Sequence, residues 1–181
     1  KVDNNEVMRM NGANVGIGTN SPARKLHVSG GTGSRSDVQV TYDALGTSAN
    51  DGAQFGIQSG GAYIWNYENS SIYFGTNNGE RMRIMTNGDV GIGTASPQLG
   101  SGWNKVLHIH SPNGIGSHIR FTDTTSGATG ESGLYIGQYG NDSYLINRES
   151  GFMTLRVNGT TDAIRILADG NVGIGLTDPD A

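Results

Sequence analysis

The sequence contains no cysteine, which excludes disulfide bonds, thiolate catalysis and cysteine-based zinc sites together. It has only four prolines and no Gly-X-Y period, so it is not a collagen. Charged residues make up 15%, against about 25% in typical globular proteins. The formal net charge is -4, and the basic stripe that nucleic acid or an anionic membrane requires is missing. No apolar run approaches the roughly 18 residues of a membrane span. We therefore expect neither nucleic-acid binding nor membrane insertion.

Glycine is abundant instead, with 30 of 181 residues, and much of it lies in a phrase that occurs three times. The three copies are NGANVGIGTNSP, NGDVGIGTASP and DGNVGIGLTDP, in which Val15, Val90 and Val172 hold the same position. The segments between the copies also match, since YIWNYE (63–68) corresponds to YLINRE (144–149). Recurrence at such long and nearly equal intervals is typical of repeat architectures.

The repeat divides the chain into three parts. Residues 1–28 hold the end of one repeat and the first VGIG hairpin, 29–109 form the first full unit, and 110–181 form a second unit that ends inside the third phrase. The second copy of the phrase is followed by a six-residue insertion, within QLGSGWN, before the Leu-His pair, and such insertions usually mark surface loops. We expect the sequence to be a window on a longer repetitive chain.

Alternation of apolar and polar residues predicts an all-β fold of short strands and hairpins. The alternating segments are QFGIQ, AYIWNY, SIYFG, RMRIM, LHIH and HIRFT. Asn87-Gly88 and Asp169-Gly170 predict type I′ hairpin turns, in which both central residues have positive φ. The first copy is one residue shorter before Val15, so we expect its turn to differ.

The glycines of the phrase predict a structural role. A dinucleotide fingerprint needs a third glycine and a following helix, and a P-loop needs Gly-Lys-Ser/Thr; the phrase has neither. On the strand after the turn, Val90 and Ile92 point to one face, while Gly91 and Gly93 point to the other. We expect the glycine face to admit the backbone of a neighbouring chain, and Pro97 to end the strand.

The segment NVGIGTNSPARKLHV (14–28) resembles the repeat of bacteriophage tail fibre and tailspike proteins, often followed by an endosialidase-type intramolecular chaperone, which is absent here. The third copy departs from the pattern after GIGL. The resemblance implies an elongated parallel homotrimeric fibre of β-prism or intertwined β type, which contacts other tail or fibre proteins in the virion tail. Each repeat unit has few apolar side chains with which to form a core by itself, which also favours association of several chains. We expect a structural and adhesive segment that positions or contributes to binding of a host-surface glycan or protein. The alternatives are a bacterial surface adhesin or filament and a polysaccharide-degrading tailspike.

Exposed aromatic side chains are the candidate glycan or receptor contacts. They are Tyr67, Trp103, Trp65 and Tyr63. Tyr63, Trp65 and Tyr67 share one strand face, where we expect Trp65 in the core and Tyr67 exposed, because the counterpart of Tyr67 is arginine. Trp103 lies on the inserted loop, where exposed and buried positions are both open.

No catalytic, metal or cofactor residue is assigned. His108 and His110 form an H-x-H that three chains could gather into a metal site, but only the first histidine recurs, as His27, which favours an ordinary strand. A glycosidase needs two flanking acids. Glu68 and Glu149 recur at equivalent positions, which favours a structural role, and Asp123 and Glu131 lie in a Gly/Thr-rich stretch typical of a loop. We expect no enzymatic activity.

Overall fold

The computed structural model describes residues 7–30, 35–159, 161–176 and 178–179. Within these ranges the regular structure is entirely β, which confirms the predicted fold class at that level. The strands in chain order are β1 (Met8–Asn11), β2 (Asn14–Ile17), β3 (Leu26–Val28), β4 (Arg35–Val40), β5 (Ala53–Gln58), β6 (Gly61–Asn66), β7 (Ile72–Thr76), β8 (Gly79–Ile84), β9 (Val90–Ile92), β10 (Leu107–Ile109), β11 (Ser117–Phe121), β12 (Leu134–Tyr139), β13 (Asp142–Asn147), β14 (Met153–Val157), β15 (Thr161–Ile166) and β16 (Val172–Ile174). Each segment with alternating polarity contains or overlaps one of these strands.

The strands form small, separate sheets. Four have three strands each, in the orders β1-β2-β3, β4-β5-β6, β11-β12-β13 and β14-β15-β16, and a fifth has the order β10-β9-β8-β7. Apart from its repeat units, the chain divides into two compact bodies. One comprises the chain through Tyr73 with Ile84–Gly88, and the other comprises Phe74–Arg83 with the chain from Asp89 onward.

The strands recur in order along the chain. β5 begins at Ala53 and its counterpart β12 at Leu134, whereas β8 begins at Gly79 and its counterpart β15 at Thr161, so the second pair is one position further apart. The additional residue coincides with a register shift between Leu155 and Arg156 in the β14–β15 pair, as expected of a β-bulge. The sequence repeat is therefore also a repeat of strands.

The hairpin turns differ from the prediction. Gly88 and Gly170 have φ of 86° and 96°, but the residues before them do not have positive φ, so the predicted type I′ turns are wrong. The Gly88 N–H donates to the Met85 carbonyl at 2.8 Å, and the glycine closes a three-residue loop, the arrangement in which a left-handed glycine forms a bulge. The turn of the first copy does differ, since Gly12 leads a two-residue loop with φ 60°.

A type I′ turn does occur elsewhere, at Asn77-Asn78, between β7 and β8. Both asparagines have positive φ, 49° and 55°. Asparagine tolerates this left-handed conformation better than most side chains. This Asn-Asn pair was not singled out from the sequence.

The strand of each phrase pairs in parallel with the Leu-His strand that follows it. Val90 lies opposite Leu107, and Gly91 lies opposite His108; β2 and β3 pair in the same way. The crossover between the parallel strands spans positions 18–25 in the first copy and the longer stretch 93–106 in the second. The six-residue insertion therefore lies in a loop, as predicted.

The crossover explains the first glycine of the phrase. A Cβ on Gly91 would lie 2.5 Å from the Thr94 carbonyl oxygen and 3.4 Å from Pro97 Cδ. The approaching backbone thus belongs to the same chain, and the expectation that this glycine makes room for a neighbouring chain is wrong. The Thr-x-x-Pro segment folds back over the strand that it follows, so only glycine fits beneath it.

The sheets bury little apolar surface within one chain. Among the described residues, the buried side chains are Tyr135 and Pro22, with four polar ones: Gln54, Asp89, Ser132 and Asp162. The accessible surface is 13502 Å², where a compact monomer of 19.0 kDa exposes about 8,400 Å². Large apolar side chains make up one face of each three-stranded sheet and are largely open to solvent.

Candidate functional site

The candidate aromatic residues of the first unit lie on the polar face of the β4-β5-β6 sheet. Tyr63 and Trp65 alternate with outward apolar residues of β6, and they pair with Gly56 and Gln54 of β5. Asp37 of β4 lies opposite Gly56 on the same face. Strand alternation therefore brings a carboxylate, an amide and two aromatic rings onto one surface.

The centre of this face is closed by hydrogen bonds. Tyr63 Oη donates to Asp37 Oδ2 at 2.6 Å, and Arg35 pairs with the same carboxylate and also donates to Gln54. The hydrogen bond from Tyr63, followed by the one from Arg35, lowers the pKa of Asp37, and burial raises the pKa of Tyr63. The network occupies the polar group of Tyr63, so this hydroxyl is committed to the fold.

The order of exposure predicted for the next two aromatics is reversed. Trp65 is 54% exposed, whereas Tyr67 is half-buried, with its ring centroid 6.1 Å from that of Trp65. Tyr67 lies just beyond the end of β6, where its backbone N–H donates to the Gly52 carbonyl at 3.0 Å and holds it against the sheet. Within the described part of its unit, no second layer covers Trp65.

Trp103 projects from the crossover loop. Its side chain is 75% exposed, and its backbone N–H donates to the Gly100 carbonyl at 3.2 Å in a local turn. The indole is thus available as a surface contact, which resolves the alternatives for this residue in favour of exposure.

The recurring histidine has a structural contact in both copies. His27 Nδ1 accepts the backbone N–H of Ala23 at 3.3 Å, and His108 Nδ1 accepts that of Gln98 at 3.2 Å. Each imidazole therefore fastens the crossover loop to the strand beneath it. His110 lies 5.8 Å from His108 between ring centroids. Within the described ranges, no cluster of three or more metal-ligating side chains occurs.

In both repeat units the recurring glutamate accepts a hydrogen bond from a distant backbone N–H group, a contact that we call the glutamate clip. Glu68 Oε1 accepts the Gly52 N–H at 2.6 Å, and Glu149 Oε1 accepts the Gly133 N–H at 2.7 Å. Both glycines are buried and have positive φ, 73° and 90°. A carboxylate that accepts a buried backbone N–H stabilises the turn through a charge-assisted hydrogen bond. The Asn-x-Glu recurrence is thus explained by structure, as the sequence indicated.

The remaining candidate acids are also engaged locally. Asp123 Oδ1 accepts the backbone N–H groups of Ser126 and Thr125, at 2.8 and 2.9 Å, and these bonds lower its pKa. Glu131 forms an ion pair with Arg148, at 2.9 Å between Oε2 and Nη1. Asp123 therefore stabilises its own loop, and Glu131 binds Arg148.

The second unit carries different chemistry on the face equivalent to that of Tyr63. At matching positions of the repeat, Asp37 is replaced by His118, and Tyr67 by Arg148. Tyr135 lies buried at the centre, and the His118 ring stacks on it at 4.8 Å between centroids. This basic and aromatic cluster was missed in the sequence, although position-by-position comparison of the two units would have found it.

Among the described residues, no helix has the length and hydropathy needed to cross a membrane. Comparison with protein-family models gives no match, and comparison with curated proteins gives none either.

Proposed function

We propose that the chain is a structural and adhesive segment of a phage tail fibre. In this proposal three copies associate in parallel into a β-rich rod of the virion tail, of β-prism or intertwined type. The rod joins other tail or fibre proteins and positions or contributes to binding at the host surface. The phrase and Leu-His segments that resemble tail fibre repeats support this function.

The observation that carries the proposal is an exposed apolar row across equivalent sheets. In the first unit, Val38, Phe55 and Ile64 lie side by side on three strands. All three are exposed. Apolar patches of this kind mark surfaces that a partner covers.

The same row recurs in the second unit. Ile119, Ile136 and Leu145 lie opposite one another in the β11-β12-β13 sheet and are also exposed. Because the row recurs with the repeat, the partner must present a matching surface at the same period. A second and third copy of the chain satisfy this requirement.

The function of such a rod is mechanical. Stacked repeats interact chiefly with their neighbours and add length and stiffness. In a parallel trimer, neighbouring chains also cover strand edges that would otherwise pair with other proteins. The structural hydrogen bonds that Glu68 and Glu149 accept support a segment without catalysis.

Size-exclusion chromatography with light scattering tests the proposal. We expect a mass three times that of the 19.0 kDa chain, and low-resolution images of a rod. A folded monomer at micromolar concentration, or a globular particle, would contradict it. Release of reducing ends from a polysaccharide would instead favour the tailspike alternative.

A further inference from the structure

A hollow lies on the polar face of the β11-β12-β13 sheet, and it is built around a glycine. Gly137 of β12 lies between His118 of β11 and Tyr144 of β13. A Cβ on Gly137 would lie 2.5 Å from both the His118 Cβ and the Ser117 carbonyl oxygen. Only glycine therefore fits between its neighbours, and the two rings flank it, with Tyr135 beside it on the same face.

The equivalent hollow of the first unit is closed. There Asp37 and Tyr63 flank Gly56, and their hydrogen bond of 2.6 Å runs across the glycine. In the second unit the corresponding pair does not meet in this way. The His118 ring stacks on Tyr135, and the Tyr144 hydroxyl donates to Asp142 at 3.4 Å.

The open hollow has a volume of about 390 Å³, within the range of small-molecule sites. Its walls combine rings with polar groups. The lining residues that carry the argument are His118, Tyr135, Tyr144 and Arg148. Tyr144 is 40% exposed, so its ring is accessible to a sugar, whose axial C–H groups form a flat apolar surface.

Among the residues that line the hollow, the formally charged side chain is the basic Arg148, and none is an aspartate or a glutamate, although the whole chain has a formal net charge of -4. Two carboxylates lie next to the lining, since Asp142 accepts the Tyr144 hydroxyl and Glu131 pairs with Arg148. The Arg148 guanidinium lies 5.5 Å from the Tyr135 ring centroid, and Glu131 engages its Nη1. The planar guanidinium suits a carboxylate, which it binds through paired hydrogen bonds.

We propose that this hollow binds an acidic saccharide, a sugar ring that carries a carboxylate. The ring stacks on Tyr144, and the carboxylate takes a donor of Arg148 in competition with Glu131. The inference rests on the proposed function only for the source of the sugar, a cell-surface glycan. It assigns sugar binding to the second unit, away from Tyr63, whose hydroxyl is already bonded.

Nuclear magnetic resonance titration of the full chain with methyl glucuronide tests the binding, with methyl glucoside as the neutral match. We expect concentration-dependent shifts of the Gly137 amide that are larger with the glucuronide, and no comparable shift at Gly56. No shift with either sugar, or equal shifts at the two glycines, would overturn the site. Equal affinity for the two sugars would overturn the preference for acid.

Two variants separate recognition from folding. Arg148→Gln should weaken glucuronide binding about tenfold, the effect of about 1.4 kcal/mol expected for a charge-assisted bond, with little change for the glucoside. Glu131→Gln, which removes the competing carboxylate, should leave glucuronide binding unchanged or tighter. A parallel loss for both sugars in Arg148→Gln, or weaker binding in Glu131→Gln, would overturn the role of Arg148. Light scattering on the same samples reports assembly independently, so failure of the trimer and failure of sugar binding are distinguishable.

Discussion

A charge placed in the exposed apolar row of the second unit should prevent assembly while leaving the chain folded. Ile136 lies at the centre of the row and is 47% exposed in the single chain. Complete burial of an isoleucine side chain contributes about 1.5–3 kcal/mol, so covering the exposed half contributes about 0.7–1.4 kcal/mol per chain. Three chains give about 2–4 kcal/mol.

The substitution Ile136→Asp removes this contribution and adds the desolvation of an unpaired carboxylate. We expect the association constant of the trimer to fall by at least about 30- to 1,000-fold, at about 1.4 kcal/mol for each factor of ten. Sedimentation equilibrium measures the change, and circular dichroism checks that the strands persist. Ala128→Asp, in an exposed loop, is the matched control and should leave assembly unchanged. Equal oligomer stability in the two variants would refute the assignment of this face to the interface.

Three further predictions concern the stability of the single chain. Glu149→Ala should lower the free energy of unfolding by about 1.5–3 kcal/mol, because a buried amide loses a charged acceptor, and Glu149→Gln by less; equal losses in urea titrations would argue against the clip. Gly91→Ala should cost about 1–3 kcal/mol, because its Cβ meets the Thr94 carbonyl, whereas Gly151→Ala, with open space around it, should not; similar melting temperatures would exclude the crossover explanation. Asp162 has a pKa below its ordinary value of 3.8, chiefly through a hydrogen bond from an arginine, so its contribution is present above about pH 4 and is lost as pH falls through the lowered pKa. Asp162→Asn should flatten the acid side of the stability profile, and an unchanged slope below about pH 4 would count against this contribution.

The strands and the structural glutamate were predictable because their determinants are local. In AYIWNY, period-two alternation identifies β6 and the face of each side chain. The recurrence of Glu68 as Glu149 indicated a structural role, since an identical residue in each repeat serves what the repeats share. The clip itself joins Glu149 to Gly133, far back along the chain, and this partner was not evident from spacing.

The turns and the exposed aromatics were less predictable. The Asn87-Gly88 pair is compatible with a two-residue turn and with a longer loop, and the registers of the flanking strands decide between them. Alternation placed Trp65 and Tyr63 on one face, but it does not say whether another layer covers that face. The hydrogen bond from the Tyr67 N–H to the Gly52 carbonyl holds Tyr67 against the sheet. Trp65 has no covering layer in the described part of its repeat unit and is exposed.

By itself the sequence determined the repeat, the strands and the residues that share each face, because these follow from the period of the chain and the pleat of a strand. Only the tertiary structure decided that the phrase pairs in parallel with the Leu-His strand and that Gly91 admits its own crossover. It also decided that the hollow beside Gly56 is closed, whereas the one beside Gly137 is open. These features depend on which side chains meet across strands and on the groups that they bond, and alternation along one strand carries no record of either.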